Sequence, residues 1–208
     1  MNDLFLTVAK GIESNLEEFK FLKSRRLLQR PIPAGWQGIA VSLLKTSSPD
    51  VMKLAAHAQV RIDNLENLYT HHHPFMNAQD AKVHPTLTVN CDSLLEDKLL
   101  ANGFQIDSGS VVEFIERYSL AIHSDIIPWL EKHSSEEAIY KGLYDSDPTK
   151  WITSDRLTRY PVLLSILAKR LDWESFDKIA AEFTDYCTKP HALVYKPLAE
   201  SLALGLRK

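Results

Sequence analysis

Residues 52–63, with the sequence MKLAAHAQVRID, alternate between two kinds of side chain. In an extended chain, one face would carry the apolar residues Met52, Leu54, Ala56, Ala58, Val60 and Ile62. The opposite face would carry Lys53, His57, Gln59, Arg61 and Asp63. This period of two predicts a long β-strand with one face on the core and the other face in solvent.

Stretches on both sides of this strand show the same kind of pattern. Residues 19–30 form an apolar and basic run that ends before two prolines, and residues 36–44 alternate after an Ala-Gly turn. Together they predict a hairpin. Residues 86–91 supply another strand, and the link before it, residues 64–85, is interpreted as an irregular insert with one helical turn. We therefore predict an antiparallel meander of about four strands.

Helical patterns flank the predicted sheet. Near the N-terminus, Leu4, Val8, Ile12 and Leu16 recur every four residues, as expected for an amphipathic helix. After the sheet, helices are predicted over residues 110–128, 134–144, 154–171, 174–188 and 192–206. The first of these begins with Ser110 and Glu113, which fit a capping box, and Pro128 should kink or end it.

The predicted fold class is α+β. An antiparallel sheet of about four strands in the N-terminal half is covered by an N-terminal helix and about five C-terminal helices. Because the dry face of the sheet needs the helices as cover, we predict a single domain over residues 1–208. Its helix-plus-sheet part would span residues 1–106 and its helical part residues 107–208.

The charge balance gives no general attraction to nucleic acid or to an anionic membrane. The chain has 24 Lys and Arg against 27 Asp and Glu, for a net charge of −3. Its two cysteines are far apart, no signal peptide begins the sequence, and no apolar stretch approaches the ~20 residues of a bilayer span. These features predict a cytoplasmic protein without a membrane partner.

The first candidate site is the run His71-His72-His73, with His84 further along the chain. Imidazole is a good ligand for divalent zinc, copper or nickel. The pattern suggests a metal site formed by His71, His73 and His84. The alternative is a set of exposed loop histidines, because adjacent histidines on a loop do not form a preorganised site. A divalent metal is the one cofactor that the sequence leaves open.

The second candidate site is a basic stretch that contains Lys23, Arg25, Arg26 and Arg30 and no acidic residue. Such side chains on a hairpin, with Trp36 opposite for base stacking, are typical of a surface that grips RNA. The alternative is edge protection, since charged side chains discourage edge-to-edge pairing of sheets. The overall negative charge favours this alternative over nucleic-acid binding.

The third candidate site is formed by His57, Arg61 and Asp63 on the predicted solvent face of the long strand. A histidine, an arginine and a carboxylate on an exposed sheet suggest a shallow polar binding pocket. The alternative is plain solvation, because a sheet face in contact with water is expected to be polar.

Familiar catalytic and cofactor motifs are absent from the sequence. It contains no GxSxG, GxGxxG, GxxxxGK[ST], HExxH or CxxC, and Cys91 falls on an inward position that favours a buried, inert thiol. We therefore predict a non-enzymatic binding protein, for example one with a protein partner. The alternatives are a metal-dependent enzyme or metal-binding protein that uses the histidine-rich insert, and RNA binding through the basic hairpin. Homo-oligomerisation through an edge strand or through the C-terminal helix stays open.

The layout resembles a group of uncharacterised bacterial domains of unknown function. The matching stretches are residues 19–30, 60–63 and 111–143, which correspond to the first strand, the long strand and the helical tail of that group. The histidine-rich insert at 71–85 departs from the pattern. The resemblance implies a bacterial cytoplasmic setting and no reaction, so no functional residue is carried over.

Overall fold

The computed structural model describes residues 3–48, 50–145, 147, 149, 151–153 and 155–207. The chain divides into two compact units, the first formed by Met1–Val60 with Thr88–Ser134 and the second by Arg61–Leu87 with Ser135–Lys208. The single domain over residues 1–208 stays a prediction.

The sheet confirms the predicted fold class. Its strands are β1 (Lys20–Leu22), β2 (Leu27–Ile32), β3 (Gly35–Lys45), β4 (Met52–Ile62), β5 (Leu87–Asn90) and β6 (Gln105–Ile106). They follow the order β1-β2-β3-β4-β5, and β6 pairs with β4. The pairs β1–β2, β2–β3 and β4–β6 are antiparallel. The sheet thus has more strands than the predicted four, because two short ones were not foreseen.

The long strand β4 begins at Met52 and ends at Ile62, as its alternation predicts. The predicted strand over residues 19–30 is instead two strands, β1 and β2, which reverse at a turn. Arg26 in that turn has a φ of 51°, in the left-handed region that tight hairpin loops use. The alternation hides this turn because its basic residues look the same in a strand and in a loop.

The helices of the first unit are α1 (Asp3–Ser14), α4 (Lys98–Ala101), α5 (Val111–Ala121) and α6 (Ile127–Lys132). A π-helical turn, Ile122–Ile126, separates α5 from α6, and Pro128 lies in the first turn of α6. The helix therefore does not end at Pro128, and a kink there stays a prediction. The predicted capping box is wrong, because the Ser110 side chain makes no capping bond. Its hydroxyl accepts the Asp107 N–H instead.

The helices of the second unit are α2 (Asp63–His71), α3 (Ala78–Ala81), α7 (Glu136–Tyr144), α8 (Arg156–Arg170), α9 (Trp173–Tyr186) and α10 (Lys196–Gly205). The last four confirm the predicted helices to within a few residues, although the predicted start at Ser154 lies outside the described residues. The irregular insert is wrong, because α2 follows β4 directly. Leu65 and Tyr69, four residues apart, fix α2 by their burial.

Helix α8 is the centre of the second unit. It is buried almost all round from Tyr160 to Ala168, and it packs against α2, α7, α9 and α10. A helix without a polar face has to lie inside, which explains this central position. In the part of the chain that the structure describes, no helix has both the length and the apolar character needed to cross a bilayer.

Candidate functional site

A cavity of about 210 Å³ lies within the second unit. Its walls come from α2, from the segment between α2 and β5, and from the N-terminal parts of α8 and α10. The polar side chains that line it include Glu66, Tyr69, His73, His84, Asp155 and Tyr195. We call this feature the Glu66 cavity.

Glu66 is the most unusual of these side chains. It lies on the buried side of α2 and is 0% exposed. One carboxylate oxygen, Oε2, accepts the Nδ1–H of His84 at 3.0 Å. The other, Oε1, is buried and has no hydrogen-bond partner among the residues that the structure describes. Burying a carboxylate oxygen without a donor is costly, so the described part of the chain leaves Oε1 in need of a donor.

His73 faces the same cavity from the end of α2. Its Nδ1 accepts the backbone N–H of Phe75 at 3.2 Å, so the neutral ring carries its hydrogen on Nε2. Burial and, secondarily, the neighbouring His84 lower the pKa of His73 below its ordinary value. The Tyr69 ring lies 5.3 Å from the His73 ring and 5.6 Å from the His84 ring, between ring centroids. Near neutral pH the cavity therefore contains a neutral imidazole.

Several acidic groups lie near the phenol of Tyr69. Burial raises the pKa of Tyr69, and the nearby Glu66, Tyr195 and Asp155 raise it further. A phenol that resists ionisation for these reasons lies in a region of negative potential. Tyr69 therefore stays protonated near neutral pH.

Asp155 contributes the second carboxylate of the wall. It is the N-cap of α8, where its Oδ1 accepts the Leu157 N–H at 3.0 Å. Its Oδ2 accepts the Thr158 hydroxyl at 2.7 Å. Capping fixes the carboxylate at the start of α8, and the side chain is exposed.

Arg61 holds the segment that carries His84. Its Nη1 donates to the carbonyl oxygens of Ala81 and His84 at 2.8 and 2.7 Å, and its Nε donates to Asp63 at 2.6 Å. Next to it, the Ile62 N–H donates to the Thr86 hydroxyl at 2.9 Å. These bonds fix the position of the His84 backbone beside α2.

The predicted solvent-face pocket of His57, Arg61 and Asp63 needs a correction. Arg61 is only 4% exposed, so it does not lie on a solvent face. The alternation predicts the wrong environment for Arg61, because β4 ends at this point and the guanidinium donates hydrogen bonds inside the protein. His57 is exposed and belongs to the first unit, whereas Arg61 and Asp63 belong to the second. A binding role for these residues stays a prediction.

The histidine run is not brought together as one site. His73 and His84 line the Glu66 cavity, but His71 is exposed and its ring packs edge-on against His72. Among the described residues, no group of three or more His, Cys, Asp or Glu side chains has the arrangement of a metal site. The metal site at His71, His73 and His84 stays a prediction.

The basic hairpin makes internal contacts. The Arg25 guanidinium lies 4.9 Å from the centroid of the Trp36 ring, and Arg26 lies 5.5 Å from the Phe5 ring. Trp36 is only 7% exposed, so most of its ring is not available for stacking, whereas Lys23 is exposed. A nucleic-acid interface on this hairpin stays a prediction.

Cys91 lies just after β5, at the start of a short 3₁₀ turn, and is 0% exposed. Burial raises the pKa of its thiol to about 12. The thiolate is therefore absent at neutral pH, and Cys91 is not a nucleophile.

The sequence patterns do not single out four of the cavity residues, namely Glu66, Tyr69, Asp155 and Tyr195. The sequence does contain a signal for Glu66. This acid lies on the same buried side of α2 as Leu65 and Tyr69. An acid on the apolar face of a helix needs a partner or a function. The interpretation of residues 64–85 as irregular hides this signal, because it assigns no helical face to Glu66.

Comparison with protein-family models, with curated proteins and with solved structures gives no match to this chain. The resemblance to uncharacterised bacterial domains therefore stays a prediction.

The histidines with lowered pKa predict how stability depends on pH. Burial lowers the pKa of His73 and of His133 below 6.5, and His133 also donates its Nδ1–H to the Trp129 carbonyl oxygen at 2.7 Å. Such imidazoles bind fewer protons in the folded chain than in the unfolded chain. The free energy of unfolding should therefore be highest above pH 6.5 and fall as the pH drops towards the folded-state pKa values.

Urea unfolding at pH 7.5 and at pH 5.5 checks this prediction. The variant His133→Gln keeps a donor for Trp129 and should lose less stability between the two pH values than the wild type. His57→Gln, which removes an exposed imidazole, serves as the matched control and should behave as the wild type does. A free energy of unfolding that rises on acidification would contradict the prediction.

Proposed function

We propose that the protein is a non-enzymatic binding protein that takes a small polar molecule into the Glu66 cavity. The observation that carries the proposal is the buried Oε1 of Glu66, which has no donor in the described chain. A hydrogen-bond donor on a ligand would satisfy this oxygen and repay its desolvation.

The size of the cavity limits the ligand. At about 210 Å³ the Glu66 cavity is smaller than the ~300–1,000 Å³ of pockets that take drug-sized molecules. Its lining combines polar groups with the apolar side chains of Leu157, Val162 and Leu198. This combination suits a molecule of a few heavy atoms with one polar end and a short apolar part.

The chemistry of the lining favours binding over covalent catalysis. Among the described residues that line the cavity there is no Ser, Cys or Lys to serve as a nucleophile. The two threonine hydroxyls are already used, since Thr86 accepts the Ile62 N–H and Thr158 donates to Asp155. The described lining thus offers no activated Ser, Cys, Thr or Lys nucleophile for a covalent mechanism.

Acid–base catalysis is the second candidate function. The specific observation in its favour is the pairing of His84 with the buried Glu66 carboxylate, an arrangement that orients an imidazole as a general base. Neutral His73 would supply a hydrogen-bond donor opposite this base. The candidate keeps the same cavity and differs only in whether the bound molecule is changed.

A fragment screen by NMR tests the proposed function. Isotope-labelled protein is titrated with a mixed set of cationic, neutral and anionic fragments of four to eight heavy atoms. We expect hits to shift the backbone amides of Glu66, Tyr69, Thr86 and Thr158. Shifts confined to the basic hairpin, or no shifts at millimolar fragment, would overturn the proposal. Chemical change of a hit over hours would favour the acid–base alternative.

A further inference from the structure

We infer that the ligand of the Glu66 cavity is a small organic ammonium ion. The inference rests on the proposed function and adds the chemical class of the ligand. It is carried by the charges, the donors and the acceptors of the cavity wall.

Apart from its histidines, the wall of the Glu66 cavity carries acidic side chains and no basic ones among the described residues. It contains the carboxylates of Glu66 and Asp155, and among its described residues there is no Lys or Arg. Arg61 does not offset this charge, because its guanidinium donates to Asp63 and to backbone carbonyl oxygens and is not part of the wall. A wall with two carboxylates, and with no described basic side chain besides its histidines, attracts cations more than anions.

The hydrogen-bonding groups point to the same class. In the described part of the cavity wall, the atom without a partner is an acceptor, Glu66 Oε1, so the ligand has to donate. An ammonium group donates in three directions, and a charge-assisted bond to a carboxylate is stronger than a bond between neutral groups. The rings of Tyr69 and Tyr195 also line the cavity and can stabilise a cation through their π faces.

A bare metal ion fits the wall less well than an organic cation. Divalent metals need several ligands at fixed short distances, and the described residues offer no group of three or more such side chains. A metal ion also has no apolar surface to pack against Leu157, Val162 and Leu198. They suit the short alkyl part of an amine, whose burial adds binding energy.

Isothermal titration with a matched set of probes tests the inference. The probes are n-propylammonium, 1-propanol and propionate, which have similar size and differ in charge. We expect n-propylammonium to bind about tenfold or more tightly than 1-propanol, and propionate to show no heat of binding. Equal affinity for the alcohol, or tighter binding of propionate, would overturn the inference.

Two substitutions locate the binding charge. Glu66→Gln keeps an acceptor for the His84 Nδ1–H, and Asp155→Asn keeps a residue that caps α8. We expect the first to weaken n-propylammonium about tenfold or more and the second to weaken it a few-fold. Glu116→Gln, at an exposed acid of the first unit, is the control and should leave the affinity unchanged. Unchanged affinity in Glu66→Gln with a native unfolding midpoint would contradict the inference.

The experiments distinguish an error in the binding function from an error in the ammonium assignment. If neutral fragments shift the cavity amides while n-propylammonium binds no better than 1-propanol, the cavity is a binding site and the ammonium assignment is wrong. If no fragment of any charge reaches the cavity amides, the binding function and the ammonium assignment are both wrong.

Discussion

Replacement of Arg61 by methionine is expected to lower the free energy of unfolding by about 3 kcal/mol, because it leaves two carbonyl oxygens without their donor. These are the oxygens of Ala81 and His84, which accept from the same Nη1 at 2.8 and 2.7 Å. Methionine retains much of the buried volume, so the loss should report on the hydrogen bonds rather than on a cavity. Urea unfolding of both proteins at pH 7.5 measures the difference.

Asp63→Asn is the matched control for this substitution. The Asp63 side chain is 56% exposed and keeps an acceptor for the Arg61 Nε–H as asparagine, so we expect a loss below about 1 kcal/mol. Arg61→Met should also weaken n-propylammonium, since His84 and its bond to Glu66 lose their backbone support. An unfolding midpoint of Arg61→Met equal to that of Asp63→Asn would show that Arg61 does not hold this segment.

Replacement of Gly38 by alanine is expected to cost about 2–3 kcal/mol of unfolding free energy, because the sheet has no room for a methyl group at this position. A Cβ on Gly38 would lie 2.8 Å from Leu27 Cδ1 and 2.9 Å from the Leu28 carbonyl oxygen. The side chain of Leu27 can rotate, but the Leu28 oxygen belongs to the paired strand β2 and cannot move without disturbing the ladder. Thermal unfolding followed by circular dichroism measures the effect.

Gly109→Ala provides the comparison within the same unit. A Cβ there would meet only the Asp107 side chain, at 3.4 Å, and the position is exposed. We expect a change within about 0.5 kcal/mol, as for other surface substitutions. Similar losses in Gly38→Ala and Gly109→Ala would mean that the tight approach of β2 and β3 is not as described.

Much of the fold was predictable because it follows from periodicity. The alternation of residues 52–62 gives β4 with its observed ends, and the four-residue spacing of Val8 and Ile12 gives α1. Periodicity cannot place turns whose residues suit several conformations, such as the one that contains Arg26. It also cannot reveal β6, which has only two residues and exists through its pairing with β4.

The candidate site was only partly predictable. His73 and His84 stand out in the sequence, and both line the Glu66 cavity. Glu66, Asp155 and Tyr195 come from distant parts of the chain and meet only through the packing of α2, α8 and α10, which composition and spacing do not encode. Arg61 was placed on the wrong side because a strand end can turn a polar residue inward when buried carbonyl groups need a donor.

The central claim is that a cationic ligand donates a hydrogen bond to Glu66 Oε1. A crystal structure of the protein soaked in n-propylammonium tests this claim most directly. We predict density for the ligand in the Glu66 cavity, with its nitrogen about 3 Å from Oε1 and its alkyl chain against Leu157, Val162 and Leu198. A structure in which a donor from the protein itself occupies Oε1 and the cavity is closed would contradict the claim.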